Sequence, residues 1–383
     1  MRIIKVLLLV AGDNGTIGSC SLNLYEAIKS TKQYDVQCAI VHHFKDGYEG
    51  FKDALYFDKE NNGGLLEQIK WLKCIKDKFR PDVTISTLFG VNTLSVLSGG
   101  KDKKIGIFHS PHQQMKAGGI ARYSIALAQY AFLYPMLDKL CCVSEEVKDS
   151  LSVFPWIKDS KKQVVYNVHN IERIITKSKE ALSDIAEQEI FSHPTIVYCG
   201  RLDRNKAPVR TIEAFAKAQR PKNAQLVFIG DDQENLRPEL ERAAKKLNID
   251  SQIHFFGRRE NPYKYIGRSL ALISSSYSEG LPGVMIEALS LGVPVVTTNS
   301  SKGIWEIFSA SDKYDKNLVV LFQNECGIIS SNISFWNPQK YQTDIENLAS
   351  AVGQVFQKGK AANFMFANSV NGKNIVNQLL SEL

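Results

Sequence analysis

No stretch of the 383 residues approaches the roughly 20 unbroken apolar positions that a bilayer-spanning helix requires. The apolar run from Val6 to Ala11 is too short for the h-region of a signal peptide and reads instead as a buried first strand. Cysteine is sparse and odd in number: there are seven, none forms a C-x-x-C pair, and Cys141 and Cys142 are adjacent in an apolar segment where pairing geometry is poor. A disulfide framework is therefore excluded, and the reducing cytosol is the expected compartment. With 12 prolines and 25 glycines against 44% hydrophobic residues, collagenous, low-complexity and disordered classes drop out as well. Strong charge of one sign is also missing. The net charge is +7, residues 1–165 holding 22 basic against 17 acidic residues and residues 166–383 holding 25 against 23. So mild an excess suits a solvated surface, anionic lipid or a phosphorylated substrate equally, and no nucleic-acid motif accompanies it.

What the chain does have is length and alternation. At roughly 100–200 residues per domain it should form two domains. Short apolar runs at 3–11, 36–41, 82–88, 104–109, 138–143 and 163–166 alternate with stretches of helical period such as Leu65, Ile69, Leu72, Ile75 and Phe79. The pattern restarts with runs at 195–199, 225–229, 253–256, 270–274, 294–298 and 318–322. Strand and helix repeated in this way predict two doubly wound parallel sheets, an α/β architecture. The expected division is residues 1–170, residues 171–360, and a terminal helical segment 361–383 that packs back on the first domain. Ligands in such sheets bind beyond the carboxyl ends of the strands, so the cleft between the two domains is the expected site.

Two loops concentrate the chemistry. Gly200 to Lys206 follows a strand and presents Arg201 and Lys206, which suit a diphosphate because Arg binds in bidentate fashion and Lys acts as a point charge. Ser276 to Gly292 reads as strand, tight loop and short helix, with Pro282 fitting the first helical turn and Gly292 its end. The backbone N–H groups of Leu281 and Gly283 would face an anion at that helix terminus. Glu279 and Glu287 either serve the ligand or are helix-start carboxylates that only complement the dipole. The pairs Asp231–Asp232 and Asp312 with Asp315 read as turn residues and not as a metal-binding D-x-D, so no metal is expected.

Together these residues resemble glycosyltransferase family 4, the retaining enzymes of the GT-B fold. The resemblance runs from Val197 through Val296: G-R-L-x-x-x-K at Gly200–Lys206, F-x-G at Phe255–Gly257, and E-G-L-P-x-x-x-x-E at Glu279–Glu287 followed by A-L-S-L-G-V-P-V-V. In the first half it rests on layout. The resemblance implies two Rossmann-like domains facing across a cleft and transfer of a sugar from a nucleotide diphosphate sugar with its anomeric configuration kept. Neither a cofactor nor a metal is implied. By the same match, Arg201 and Lys206 would hold the diphosphate, Glu287 the ribose hydroxyls, and Glu279 with Gly280, Leu281 and Gly283 the donor sugar. Arg258, beside Gly257, would approach the base, and His109 would face the donor sugar, with His112 a weaker candidate.

The loop Gly12 to Gly18 does not fit G-x-G-x-x-G and lacks the family's paired glycine. A donor or acceptor contact through Gly12 and Gly15 and a plain tight turn both stay open for it. Tyr123, Leu127, Tyr130 and Tyr134 recur at helical spacing near Arg122 and Lys139, a stripe that fits either core or peripheral contact with an anionic membrane. The leading expectation is a cytosolic transferase, on the inner face of the plasma membrane if membrane-bound. It would use a UDP- or GDP-sugar and a glycan or polyprenyl-linked acceptor. The alternatives are a sugar-nucleotide epimerase, a phosphorylase, for which the chain is short, and a non-catalytic nucleotide-sugar or partner-binding protein of the same fold.

Overall fold

The computed structural model describes all residues except 1, 14, 45–46, 48, 52, 58–62, 113–118, 333–336, 360–361 and 381–383. The chain divides into two compact units, residues 1–170 with the segment from Asn368 onward, and Ile171–Ala367.

In the first unit the apolar runs become strands β1 (Ile4–Gly12), β2 (Tyr34–His42), β3 (Leu55–Tyr56), β4 (Val83–Thr87), β5 (Lys103–Phe108), β6 (Lys139–Cys142) and β7 (Lys162–Val164). They form one parallel sheet in the order β3-β2-β1-β4-β5-β6-β7. Residues Val6–Val10 are fully buried, as expected for a strand covered by helices on both faces. On one face Leu7, Leu9, Ala39 and Val41 pack against Leu72 and Ile75 of the helix Leu65–Phe79. The terminal helix Gly372–Leu380 buries Ile375, Val376, Leu379 and Leu380. It is fastened to this unit by Gln378 Nε2 donating to the Val164 carbonyl at 2.7 Å. Gly372 sits so close to the helix Gly15–Ser30 that a Cβ would lie 2.8 Å from Ala27 Cβ.

The second unit holds β8 (Thr195–Cys199), β9 (Gln225–Ile229), β10 (Ile253–Gly257), β11 (Ala271–Ser274), β12 (Val295–Thr298), β13 (Phe322–Asn324) and β14 (Gly327–Ser330), in the order β10-β9-β8-β11-β12-β14-β13. All pairs are parallel except the β13–β14 hairpin. Ile196, Phe228 and Ile273 from the sheet meet Phe215, Leu240 and Leu348 from its helices in one core.

One expectation needs correction here. The run 318–322 is not a strand: Val319 and Val320 are exposed, and the strand that pairs with β12 is Gly327–Ser330. That slot demands a glycine, because a Cβ at Gly327 would lie 2.0 Å from the Val295 carbonyl oxygen, and the apolar run has none to offer. The stretch 171–190 is two helices, Ile171–Ser178 and Ile185–Ser192, the second capped by the Asp184 carboxylate accepting from Ala186 N–H at 2.8 Å.

Candidate active site

In the second sheet the strand order reverses between β8 and β11, the kind of point at which open α/β sheets bind ligands. Both sequence motifs leave from this point. After β8, Gly200 N–H donates to the Ile229 carbonyl at 2.9 Å, and Leu202 N–H to the Asp231 carbonyl at 2.7 Å. The facing Gly230, at φ +149°, approaches so closely that a Cβ would sit 1.9 Å from the Gly200 carbonyl oxygen. The Asp203 carboxylate then organises the turn: one oxygen accepts from Lys206 N–H at 2.8 Å and the other pairs with the Arg201 guanidinium at 2.9 Å. Arg201 remains 58% exposed while Asp203 is buried.

After β11 the loop is tied to the first one. Tyr277 N–H donates to the Asn205 carbonyl at 2.8 Å, and Asn205 Nδ2 donates back to the Ser278 carbonyl at 2.9 Å. Lys206 Nζ and Ser276 Oγ both donate to Oε1 of Glu279, each at 2.6 Å. The structure thus joins Lys206 and Glu279, 73 residues apart in sequence, into one largely buried ion pair. Beneath the loop the buried Arg210 guanidinium stacks 3.5 Å from the Tyr277 ring centroid. Ser301 Oγ donates to the Gly280 carbonyl, and a Cβ at Gly303 would lie 2.1 Å from that oxygen, so the segment after β12 closes tightly on Gly280.

The helix Gly283–Ser290 follows, with Pro282 one position before it and Gly292 at φ +67° beyond its end. Leu281 and Gly283 therefore stand at its amino end, where unpaired N–H groups favour an anion. Glu287 lies on this helix, and Tyr263 OH donates to its Oε1 at 3.4 Å. Burial raises its pKa to about 7, against the opposing pull of the Tyr263 hydrogen bond and the Arg173 charge. Arg258 is exposed next to Gly257, whose carbonyl accepts from Gly230 N–H at 2.9 Å. Among the described residues no cluster of three or more His, Cys, Asp or Glu is arranged to hold a metal.

The first unit carries the remaining candidates. Gly12 ends β1, and a Cβ there would lie 2.9 Å from the Phe44 ring; Gly15, at φ +63°, opens the helix Gly15–Ser30, and Asn14 between them lies outside the described residues. His109 follows β5, and its buried Nε2 has no hydrogen-bond partner. With Ser21, Thr87 and Asn167 it lines a cavity of about 10 Å³, and burial lowers its pKa to about 4, so the ring is neutral at pH 7. His112 is packed among Tyr123, Tyr130 and Phe154. Of the tyrosine stripe, Tyr130 and Tyr134 are core, Tyr130 stacked on Phe154 and both tyrosines tilted or edge-on to Phe89 and Phe108, whereas Leu127 is exposed.

Sequence reasoning missed Asp203, Ser276 and Arg210, and in the first unit the buried Asp13. The Asp13 carboxylate takes His43 Nδ1 on one oxygen and Phe44 N–H, at 2.9 Å, on the other. The aspartate directly after Gly12 and the serine three residues before Glu279 were signals in view. Nothing local in the sequence marks Arg210, which reads as an ordinary helix residue.

Residues 183–320 match the family model of glycosyl transferases group 1. An uncharacterized glycosyltransferase of Methanocaldococcus jannaschii is 28% identical over 267 residues, covering 66% of this chain and 64% of that protein. The N-acetylgalactosamine-N,N'-diacetylbacillosaminyl-diphospho-undecaprenol 4-alpha-N-acetylgalactosaminyltransferase of Campylobacter jejuni is 29% identical over 236 residues, covering 61% and 60%. This chain thus spans less than two thirds of the length of either relative. Among solved structures, Anabaena HepE in complex with UDP and glucose superposes with a TM-score of 0.68 at 15% identity over 99% of this chain and 100% of that one. Residues 183–320 of the second unit thus resemble the glycosyl transferases group 1 family, and the fold of the chain is GT-B.

Proposed function

We propose that this chain is a retaining hexosyl- or N-acetylhexosaminyltransferase. It takes the sugar from a nucleotide diphosphate donor, UDP-linked in preference to GDP-linked. It delivers the sugar to a glycan or polyprenyl-linked acceptor in surface polysaccharide biosynthesis, at the cytoplasmic face of the membrane. The observation that carries this reading is the pair Lys206–Glu279, built where the strand order of the second sheet reverses, with Arg201 on the same turn. When the bond from the anomeric carbon to the phosphate oxygen breaks, its electrons leave on the nucleoside diphosphate. Arg201, Lys206 and the amino end of the helix Gly283–Ser290 supply positive charge to that leaving group, which gains most in the transition state. The acceptor oxygen bonds to the same carbon, and its proton passes to a leaving phosphate oxygen, so the reading requires no metal and no protein base. Glu279, fixed from two sides, orients the donor sugar, and Glu287 receives the ribose hydroxyls. The first unit takes the acceptor, and the neutral His109 serves as a hydrogen-bonding group. The Campylobacter relative is named for a diphospho-undecaprenol acceptor, and the Anabaena structure holds UDP and glucose, which is why those chemical classes come first.

The deciding experiment is a mass-spectrometric screen of UDP- and GDP-sugars against polyprenyl diphosphate sugar acceptors, with the new linkage assigned by NMR. A product with the donor's anomeric configuration is expected. An inverted product would overturn retention, a rearranged nucleotide sugar formed without acceptor would identify an epimerase, and tight donor binding with no turnover would leave a non-catalytic binding protein.

A further inference from the structure

The helix Ile120–Phe132 is apolar on both sides. Its inward side buries Ala126 and Tyr130, which is enough to seat it on the first unit. The outward side should then be polar, because a helix facing water normally divides into an apolar and a charged face. Instead Ile120 is 89% exposed and Phe132 76%, with Ile125 and Leu127 also exposed, and of the other exposed positions Ala121, Ser124 and Ala128 carry no charge, leaving Arg122 as the single charged side chain of the helix. Met136 extends the patch past the helix. Trp156, half exposed, is held beside it by Nε1–H donating to the Tyr130 carbonyl at 2.9 Å. Contiguous exposed apolar surface of this kind marks a place where something docks.

The charge around the patch selects the occupant. From residue 103 to residue 137 the sequence has no Asp or Glu, while Arg122 is exposed on the helix itself. Beyond the helix, Lys161 is anchored by donating to the carbonyls of Pro135 and Leu137, at 2.8 and 2.7 Å, with Lys158 exposed nearby in sequence. Of the carboxylates that flank this stretch, Asp102 is buried and pairs with Lys76 and Lys104, and Asp138 accepts from Lys104 N–H at 2.7 Å; further along, the exposed Asp159 pairs with Lys162 at 3.0 Å. A second copy of the chain would set two such cationic rims against each other, which opposes association. An anionic lipid surface satisfies both features, accepting the apolar side chains at the headgroup boundary and the cations at the phosphates. Trp156 has the amphipathic ring that favours that boundary.

We propose that the outward face of the helix Ile120–Phe132, with Met136 and Trp156, docks the first unit on an anionic membrane surface. This supplies a contact surface for the membrane placement in the proposed function, and its test needs neither donor nor acceptor. The full chain is floated with phosphatidylcholine vesicles and with vesicles containing 30% phosphatidylglycerol, each at low and high salt. Binding is expected on the anionic vesicles and should weaken with salt, accompanied by a blue shift of tryptophan emission that Trp156→Phe reduces. Ile125→Glu with Phe132→Glu should lower binding at least tenfold while leaving the thermal midpoint and UDP affinity unchanged, since both positions are exposed. Lys158→Gln should lower binding about fivefold, the worth of one cation near such a surface. Failure of the unmodified chain to float, or flotation of the Ile125→Glu/Phe132→Glu chain as strong as the original, overturns the proposal. So does self-association that the double substitution abolishes in the absence of any flotation, which would assign the face to a second copy. Loss of flotation would leave the transferase reading standing, and a chain that floats without turnover would leave the docking surface standing.

Discussion

The two sheets are near copies in layout: in each, the second and third strands lie on one side of the first and the fourth on the other, after which the order runs outward to β7 in the first sheet and ends β12-β14-β13 in the second. Their carboxyl edges differ sharply. At β8 and β11 the two loops exchange hydrogen bonds and share the ion pair of Lys206 with Glu279. Among the described residues, the contact at β1 and β4 is an uncharged one, Ser21 to Thr87 at 3.0 Å, and the buried Asp13 carboxylate turns toward the loop after β2. A doubly wound sheet thus provides a location twice, and among the described residues it is the second unit that places a lysine–glutamate pair there. Leu88, directly after β4, sits at φ +138°, strained for a residue with a side chain, so the first edge is shaped by backbone where the second is shaped by charge.

The largest expected effect tests how closely each edge is packed. Gly230→Ala drives a Cβ into the Gly200 carbonyl at 1.9 Å from a positive φ, so backbone must move, and a loss of about 3 kcal/mol or more is expected in chemical denaturation. Gly12→Ala meets only the end of the Phe44 ring, which can rotate aside, and should cost about 1 kcal/mol or less. Equal losses at the two positions would mean that the loops are built to the same tolerance and the contrast is false.

Next comes charge. Lys206→Ala and Glu279→Ala should each lower kcat by at least about 10²-fold with the secondary structure retained, the usual consequence of removing one preorganised contact to transition-state charge. Because the two side chains hold each other, the double substitution should cost far less than the product of the single effects. Near-normal turnover in both single variants would remove the functional distinction between the units.

How much of this was legible beforehand follows from the same contrast. Strands β8 and β9 are found at the residues the apolar runs mark, because buried parallel strands are continuous runs bounded by polar turns. The turn residues Gly200–Lys206 and Glu279–Gly283 were legible because motif and strand end coincide. The salt bridge was not, since periodicity says nothing about which strand end lies beside which, and that pairing depends on β8 and β11 being neighbours. Strand β14 escaped for a steric reason at Gly327, and on Ile120–Phe132 the stripe read from the sequence took in the core residue Tyr130 while the exposed Ile120, Ile125 and Phe132 were passed over, because a helix whose single charge is Arg122 does not show which way it turns.

A smaller effect should appear at Glu287. Its folded pKa of about 7 lies above the unfolded value, so between pH 4.5 and 7 the unfolded chain has released a proton that the folded chain keeps, and stability falls as pH rises through that window. Glu287→Gln should flatten that slope in denaturation series. Ribose hydroxyls donate more strongly to a carboxylate than to a neutral acid, so UDP affinity measured by calorimetry should rise from pH 6 to pH 8 in the original chain and stay level in the variant. An unchanged slope in the variant would assign the pH dependence to other groups.

The smallest and most discriminating effect belongs to Asp13. Its carboxylate serves two donors from the loop after β2, so Asp13→Asn keeps one acceptor for Phe44 N–H and presents an NH₂ group to His43 Nδ1. The imidazole can answer by exchanging tautomers, which preserves a neutral hydrogen bond but forfeits the charge-assisted one, a loss of about 1 kcal/mol. The loops after β8 and β11 belong to the other unit. The thermal midpoint should therefore drop slightly and the acceptor KM should rise, with UDP affinity unchanged. If UDP affinity instead fell in Asp13→Asn as far as it falls in Lys206→Ala, the edge of the first sheet would be part of the donor site, and the division of labour between the two units would have to be withdrawn.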